Sequence, residues 1–220
     1  MQVIYEDNHL IIVNKAVGEI VQGDKTGDKP LSENVKDYIR EKYSKPGNVF
    51  CGVVHRLDRP VSGIVVFART SKALERMNRM FRDGEVHKTY WALVQGKPLQ
   101  KEALLEDWLV SDGRMNKTFV TDQGAKDAKL SRLKYKTIAE GDRYTLLEVT
   151  LLTGRKHQIR AQLANIGCPI KGDLKYGSKR SNPDGGISLQ SHSIEFIHPV
   201  SKQEIRLELP PTEEMRKIIG

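Results

Sequence analysis

Residues 144–160 read YTLLEVTLLTGRKHQIR, and this stretch decides which class of fold the chain can adopt. Its first part alternates between apolar and polar positions, which is typical of a β-strand and predicts one over residues 144–152. Gly154 then permits a sharp turn. A helix is predicted directly afterwards, over residues 157–166, and Gly167 ends it.

The rest of the chain is predicted to contain more strands than helices. Further strands are predicted at residues 9–15, 63–68, 86–94, 192–197 and 205–209, and further helices at residues 32–43 and 71–82. Because the helices do not alternate regularly with the strands, the pattern favours an α+β fold with a mixed, mostly antiparallel central sheet and flanking helices. We predict a single domain over residues 1–220, since no repeat or long linker divides the sequence.

The charge of the chain indicates a polyanionic partner. It has 36 basic and 28 acidic residues, and a formal net charge of +8. The basic residues form short scattered clusters, which suits a folded surface that follows a phosphate backbone. A merely solvated, lysine-rich surface is the alternative. No apolar run is long enough to span a membrane and no signal peptide precedes the first strand, so we expect a cytoplasmic protein without membrane contact.

Several common classes of site are absent from the sequence. No phosphate-binding loop, dinucleotide-binding glycine motif, zinc-protease motif or serine-hydrolase elbow occurs. The histidines have no metal-ligand spacing, and Cys51 and Cys168 lie too far apart in the chain to indicate a zinc site. We therefore expect no metal, and the two isolated cysteines indicate a reducing compartment.

Residues 55–63 read HRLDRPVSG and place Asp58 between Arg56 and Arg59. Nearby positive charge lowers the pKa of a carboxylate, so Asp58 is expected to be ionised at neutral pH. An ionised carboxylate on a loop is suited to act as a nucleophile or general base. The alternative is a turn aspartate in a surface ion pair.

Residues 154–160, GRKHQIR, concentrate positive charge at the start of the predicted helix. Arg155 follows the strand and could pair bidentately with a carboxylate. His157 and Arg160 are three residues apart and share a helical face. Because the helix dipole disfavours cations at this end, the arrangement indicates an anionic partner, although it could also be a basic helix start without one.

Residues 88–94, KTYWALV, form part of a predicted strand. Strand geometry places Lys88 and Tyr90 on the same face, where both could line one pocket. A tyrosine packed in the core is the alternative.

Taken together and in this order, the three segments resemble the RluA-type family of RNA pseudouridine synthases. Three further matches extend the resemblance over nearly the whole chain. They are VNKAVG at residues 13–18, PIKGDLKYG at residues 169–177, and LQSH at residues 189–192 leading into FIHP at residues 196–199.

The resemblance implies a sheet with a cleft across its middle, no cofactor, and a role for each matching residue. Asp58 would be the catalytic aspartate, and Arg155 would pair with it. Tyr90 would stack beneath a flipped uracil and could take its C5 proton, while Ile159 would contact the same base. Arg56 would enter the RNA helix where the uridine leaves. Further substrate-binding residues are expected among the polar side chains of the motifs: His55, Lys88, His157 and Arg160.

The implied partner is RNA, a stem-loop of transfer or ribosomal RNA, bound by a monomer. The chain departs from the family pattern at Val61, Lys156 and Ala161-Gln162, and at Ala16, where the family has proline. Lys156 and Gln162 would lie near the cleft, so they bear on which RNA is chosen. The sequence matching the catalytic domain begins near residue 3, so we expect no N-terminal RNA-binding appendage.

Two other functions compete with this interpretation. A non-catalytic RNA-binding protein would use the basic surface alone, and its binding would not require Asp58. A glycoside- or nucleoside-cleaving hydrolase would pair Asp58 with a second carboxylate. No second acid stands out in the three motif segments.

Overall fold

The computed structural model describes residues 1–219, and the chain folds into two compact units. Unit 1 contains residues 1–87 and 193–209, and unit 2 contains residues 88–192 and the chain from Pro210 onward. Both units combine antiparallel strands with helices, so the predicted α+β class is confirmed. The single domain over residues 1–220 stays a prediction.

The elements are numbered in chain order. The strands are β1 (Gln2–Glu6), β2 (Leu10–Lys15), β3 (Gly52–Val53), β4 (Ser62–Ala68), β5 (His87–Gln95), β6 (Glu102–Asp112), β7 (Lys117–Thr121), β8 (Lys129–Glu140), β9 (Tyr144–Leu151), β10 (Leu189–Ile197) and β11 (Glu204–Glu208). The helices are α1 (Leu31–Lys42), α2 (Ser71–Asp83), α3 (Gln158–Asn165) and α4 (Glu213–Ile219), with a 3₁₀ turn at Leu174–Tyr176.

Unit 1 is built on two apolar strands, β2 and β4, that pair with each other along their length. Strand β1 pairs with β2, and β3 pairs with β4. Side chains such as Ile12, Val66 and Met77 are fully buried in a core that α2 covers. The start and end of α2 follow from its caps, because Thr70 Oγ1 accepts the amide of Ala73 at 3.1 Å and Gly84 adopts the left-handed region at φ 76°.

Unit 2 is a long antiparallel ladder in the order β5-β9-β8-β6-β7. Ala161 of α3 packs with Leu109 of β6 and Tyr176 of the 3₁₀ turn in one buried cluster. Met215 of α4 packs against Leu93 and Leu146 in another. These two clusters fix α3 and α4 to the ladder, because burying apolar side chains is the main favourable term in folding.

The strands and helices predicted from the sequence are all present, with small shifts at their ends. Strands β1, β3, β6, β7 and β8 and helix α4 were not predicted. In β8 the exposed face carries Arg132, Lys134 and Lys136, while Leu133 and Tyr135 between them are buried. The lysines and arginines dominate the sequence there, so a half-buried strand resembles a basic surface cluster. Within residues 1–219, no helix is both long enough and apolar enough to cross a bilayer.

Candidate active site

A buried lysine, Lys15, holds the loop that carries Asp58 in place through hydrogen bonds to the loop backbone. Lys15 is fully buried at the end of β2, and its Nζ donates to the carbonyls of Val61 at 2.6 Å, Ala16 at 3.0 Å and Arg59 at 3.1 Å. The amide of Val61 in turn donates to the carbonyl of Asp58 at 3.0 Å. Two of these charge-assisted hydrogen bonds, to Arg59 and Val61, therefore hold the backbone on both sides of Pro60 in one conformation.

Two opposing effects determine the pKa of Lys15. Burial lowers the pKa of Lys15 to about 8, and the carboxylates of Glu19 and Asp58 oppose that shift. At pH 7 the group is still mostly protonated, so it has all three N–H donors for its three carbonyls.

Replacing Lys15 with methionine is expected to destabilise unit 1. The substitution keeps an unbranched side chain but leaves three carbonyls without their donor, and one buried unsatisfied polar group costs about 1–3 kcal/mol. Urea denaturation should show a loss of at least that size. Lys25→Met, at an exposed loop position, is the control and should unfold like the parent. Equal midpoints for both variants would contradict the role of Lys15.

The residues next to Asp58 differ in their exposure to solvent and in their partners. Arg56 is exposed, Leu57 is buried and Asp58 is half-buried. Arg59 pairs with Asp28, its Nη1 lying 2.7 Å from Oδ2, and lies 3.7 Å from Asp24. The guanidinium of Arg59 is therefore bound to carboxylates of the loop that precedes α1.

His55 contributes to the frame of the loop. Its Nε2 accepts the amide of Val66 at 3.1 Å, and its ring stacks on Phe81 of α2 with the centroids 5.0 Å apart. The imidazole therefore joins β4 and α2 just before the Asp58 loop. Its part in substrate binding stays a prediction.

In unit 2, Lys88 and Tyr90 lie on the same face of β5, as the alternation predicts. Tyr90 pairs with Val149 of β9 and its side chain is buried. Burial lowers the pKa of Lys88 to about 8. At pH 7 Lys88 is therefore still mostly protonated and can donate hydrogen bonds as an ammonium.

The turn before α3 is organised by Gln158. Its Oε1 accepts the amide of Arg155 at 3.0 Å and the hydroxyl of Thr153 at 2.8 Å, and its Nε2 donates to the carbonyl of Arg132 at 3.0 Å. The N-cap residue His157 makes no side-chain capping hydrogen bond, and these bonds of Gln158 fix the turn in front of the helix instead. The side chain of Arg155 is exposed, with Nε 3.4 Å from the carbonyl of Leu130.

His157 and Tyr176 form a buried polar pair. His157 precedes α3 with φ 52°, a left-handed conformation that non-glycine residues seldom adopt. Its Nδ1 lies 2.9 Å from the hydroxyl of Tyr176, which accepts the amide of Thr118 at 2.8 Å. The hydroxyl therefore joins the imidazole to the backbone of β7, and which atom donates in the contact with Nδ1 depends on the tautomer of the ring.

Arg160 has an anionic partner within the chain. Its Nε and Nη2 lie 2.7 and 2.9 Å from the two carboxylate oxygens of Asp173, and both side chains are buried. The guanidinium also lies 4.9 Å from the ring centroid of Tyr176. Asp173 thus supplies one anion for the positive charge at the start of α3. Ile159 beside it is buried, and the substrate contacts of Ile159, His157 and Arg160 stay predictions.

Sequence reasoning gave no role to Lys15, Gln158, Asp173 or Tyr176. The one local signal was Lys15, a charged residue at the end of an apolar strand, which needs partners wherever it is buried. The partners themselves are distant in the chain and follow only from the fold. Within residues 1–219, no group of three or more His, Cys, Asp or Glu side chains is placed to hold a metal ion.

Comparison with known proteins identifies the family to which the chain belongs. A family model described as RNA pseudouridylate synthase matches residues 9–165, which include the Asp58 loop, Tyr90 and the turn before α3. The chain belongs to this family, as the RluA-type motifs predicted. Members of the family are isomerases that act on RNA.

Particular relatives cover nearly all of the chain. The ribosomal large subunit pseudouridine synthase C of Pasteurella multocida is 33% identical over 100% of this chain and 67% of its own length. The corresponding protein of Vibrio vulnificus is 31% identical over 99% and 68%. The tRNA pseudouridine synthase C of Vibrio parahaemolyticus is 30% identical over 93% of this chain and 88% of the relative.

A solved structure confirms the fold. The human RNA pseudouridylate synthase domain containing 4 superposes with a TM-score of 0.81 at 20% identity, over 98% of this chain and 90% of that one. The prediction of a pseudouridine synthase fold is thereby confirmed.

Proposed function

We propose that this chain converts specific uridines of transfer RNA, ribosomal RNA or both into pseudouridine, with Asp58 as the catalytic carboxylate. The observation that carries the proposal is the Asp58 loop, in which Lys15 fixes the backbone from below while Asp58 stays half-buried and accessible. A reacting group must be held within a fraction of an ångström of its productive position, and this loop has that support.

The reaction needs only what the protein provides. The bond between N1 of uracil and C1′ of ribose breaks, the base turns, and a bond forms between C5 and C1′. The C5 proton leaves and N1 gains a proton, so no atom is added from water or from a cofactor. A carboxylate is suited to meet an electron-poor anomeric carbon, as in glycoside hydrolysis. Asp58 takes that part, either by attacking the sugar or by abstracting its proton.

The target base must leave its stack before it can react. Flipping a nucleotide costs a few kcal/mol, and it costs least in loops and bulges. The exposed Arg56 takes the place of the departing uridine, and Tyr90 stacks on the base. Arg155 has the part that the resemblance implies for it, as the partner of the catalytic aspartate. Lys88, Ile159 and His55 supply further substrate contacts. His157 and Arg160, which are buried and bonded to Tyr176 and Asp173, act through the position of the turn before α3.

The relatives and the net charge are compatible with two classes of RNA substrate. Relatives named for ribosomal RNA and for transfer RNA match this chain about equally well. The net charge of +8 suits either polyanion. We expect a monomer acting in the cytoplasm on a compact stem-loop, with the exposed Lys156 among the residues that select it. Gln162 is fully buried and its Nε2 donates to Asp107 at 2.7 Å, so it does not contact the RNA directly.

Release of the C5 hydrogen gives a direct assay for the proposal. Transcripts of transfer RNA and of ribosomal RNA fragments, labelled with tritium at C5 of uridine, would be incubated with the purified chain. Isomerisation releases tritium to water at each converted site, and release from at least one transcript is expected. Tight binding without any release would favour the non-catalytic RNA-binding alternative, and release of free uracil would favour the hydrolase.

Tyr90→Phe is expected to bind RNA but not to complete the reaction. Phenylalanine keeps the stacking surface, worth about 1–3 kcal/mol per base, and removes the hydroxyl that takes the C5 proton. Turnover should fall by about 10²- to 10⁴-fold, the usual contribution of a general acid or base. An adduct between enzyme and RNA should accumulate on a denaturing gel.

The control for Tyr90→Phe is Tyr144→Phe, which removes a phenol hydroxyl elsewhere in unit 2. It should turn over like the parent. Normal turnover by Tyr90→Phe would reduce Tyr90 to a stacking surface, and the proton would then leave by another route.

A further inference from the structure

Unit 1 contains a positively charged groove beside α2. Its volume is about 250 Å³, and it lies between α2 and the turn that joins β10 to β11. Three cations line it, namely Arg76, Arg79 and Lys202, and Glu85 is its single carboxylate. Met80 and Ile197 form an apolar floor.

The three cations of the groove lack carboxylate partners. Within residues 1–219, neither Arg76, Arg79 nor Lys202 forms an ion pair, although elsewhere in unit 1 Arg40, Arg59 and Arg69 all do. Unpaired cations that converge on one cavity repel each other, and an anion in the cavity relieves that repulsion. A phosphate group fits the planar donors of arginine particularly well.

The groove is held in place before any ligand arrives. Arg76 is half-buried, and its Nη1 donates to the carbonyl of Pro199 at 3.0 Å. This bond fixes a long side chain that would otherwise lose conformational freedom on binding.

The turn that carries Lys202 is also rigid. His198 Nδ1 accepts the amides of Val200 at 3.2 Å and Ser201 at 2.9 Å, and the amide of Lys202 donates back to the carbonyl of His198 at 3.1 Å. His198 Nε2 lies 2.9 Å from Asp7 Oδ2. Burial lowers the pKa of His198, which favours the neutral ring, and the two amides that Nδ1 accepts place the proton of that ring on Nε2.

The groove and the Asp58 loop share a structural support. Phe81 follows Met80 of the groove floor, and it stacks on His55, three residues before Asp58. The end of α2 therefore contacts the Asp58 loop with one residue and lines the groove with the preceding ones. We therefore expect the backbone that flanks a uridine at Asp58 to pass beside these cations.

We infer that this groove binds a backbone phosphate of the RNA, outside the target nucleotide, with Arg76, Arg79 and Lys202 as its ligands. The inference rests on the proposed function for the identity of the anion. Phosphate contacts fix the register of a protein on nucleic acid and add affinity without reading sequence. The groove therefore contributes to binding and has no part in the chemical step.

The test compares two double variants that remove equal charge. Arg79→Gln with Lys202→Gln empties the groove of two cations, and Lys25→Gln with Lys45→Gln removes two exposed lysines elsewhere in unit 1. Binding to a pool of unmodified transfer RNA transcripts would be measured between about 50 and 200 mM salt. The groove variant should lower the slope of log K against log salt by roughly 1, and the control should not.

Steady-state kinetics of the groove variant, and a third variant that should bind RNA more tightly, complete the test. The groove variant should raise KM and leave kcat unchanged, since it removes binding common to ground and transition states. Glu85→Gln removes the one carboxylate of the groove and should tighten binding, an effect that misfolding cannot imitate. Equal salt slopes for groove and control variants, together with unchanged affinity for Glu85→Gln, would overturn the inference. Turnover by Asp58→Asn would instead overturn the proposed function.

Discussion

Asp58→Asn is expected to abolish pseudouridine formation while RNA binding stays within tenfold of the parent. Asparagine keeps the size of the side chain and its place in the loop, but it has no charge with which to meet the anomeric carbon and cannot act as a base. Turnover should fall by about 10²- to 10⁴-fold or more. Binding should change by less than about 1.4 kcal/mol, because phosphate contacts dominate affinity for RNA.

Asp58→Asn keeps the backbone hydrogen bonds that fix the loop. The contacts that fix the loop are made by the backbone, through the carbonyls that accept from Lys15 and the bond from Val61 to the carbonyl of Asp58. These bonds are made by backbone groups, which the substitution keeps, although it removes one of the two carboxylates that raise the pKa of Lys15. Asp122→Asn, at an exposed position in unit 2, is the control and should retain full turnover. Tritium release by Asp58→Asn at the parent's rate would remove Asp58 from the reaction.

Asp173→Ala is expected to cause the largest loss of stability among single substitutions at the site. Asp173 and Arg160 are nearly inaccessible to solvent and bind through two short contacts of 2.7 and 2.9 Å. Alanine would leave the guanidinium buried without this partner, and breaking a buried pair in this way typically costs about 3–5 kcal/mol. Urea denaturation should show a loss of that size.

A double variant separates the cost of an unpaired charge from the worth of the pair. Arg160→Met with Asp173→Leu removes both charges and fills a similar volume, so stability should largely return. Glu213→Ala, which breaks the exposed pair with Lys217, should have little effect. If Asp173→Ala and Glu213→Ala unfolded at the same urea concentration, the buried pair would not contribute as described.

The elements predicted well from sequence are those whose signals are local. Helix α2 begins after the capping residue Thr70 and ends at Gly84, and both signals lie within the segment. Strands β2 and β4 are short apolar runs bounded by polar residues. Strand β8 was missed because its lysines and arginines occupy the exposed face, and helix α4 is only seven residues long.

The chemistry of the site stays a prediction from the sequence, whereas the contacts that hold its segments in place could not be predicted at all. Asp58, Tyr90 and Arg155 stand out through motif resemblance, which the family match bears out at the level of the family. The groups that hold these segments act across long sequence separations. Lys15 bonds to carbonyls of residues 59 and 61, and Tyr176 joins His157 to the amide of Thr118. No pattern within one segment contains that information.

Position-resolved mapping of pseudouridine in total RNA tests the central claim most directly. It would compare cells with the gene, cells without it, and cells that carry Asp58→Asn at normal protein abundance. The proposal predicts that one or a few sites in transfer or ribosomal RNA lose pseudouridine in the deletion, stay unmodified with Asp58→Asn and recover with the parent gene. Identical maps in all three, or restoration of every site by Asp58→Asn, would contradict it.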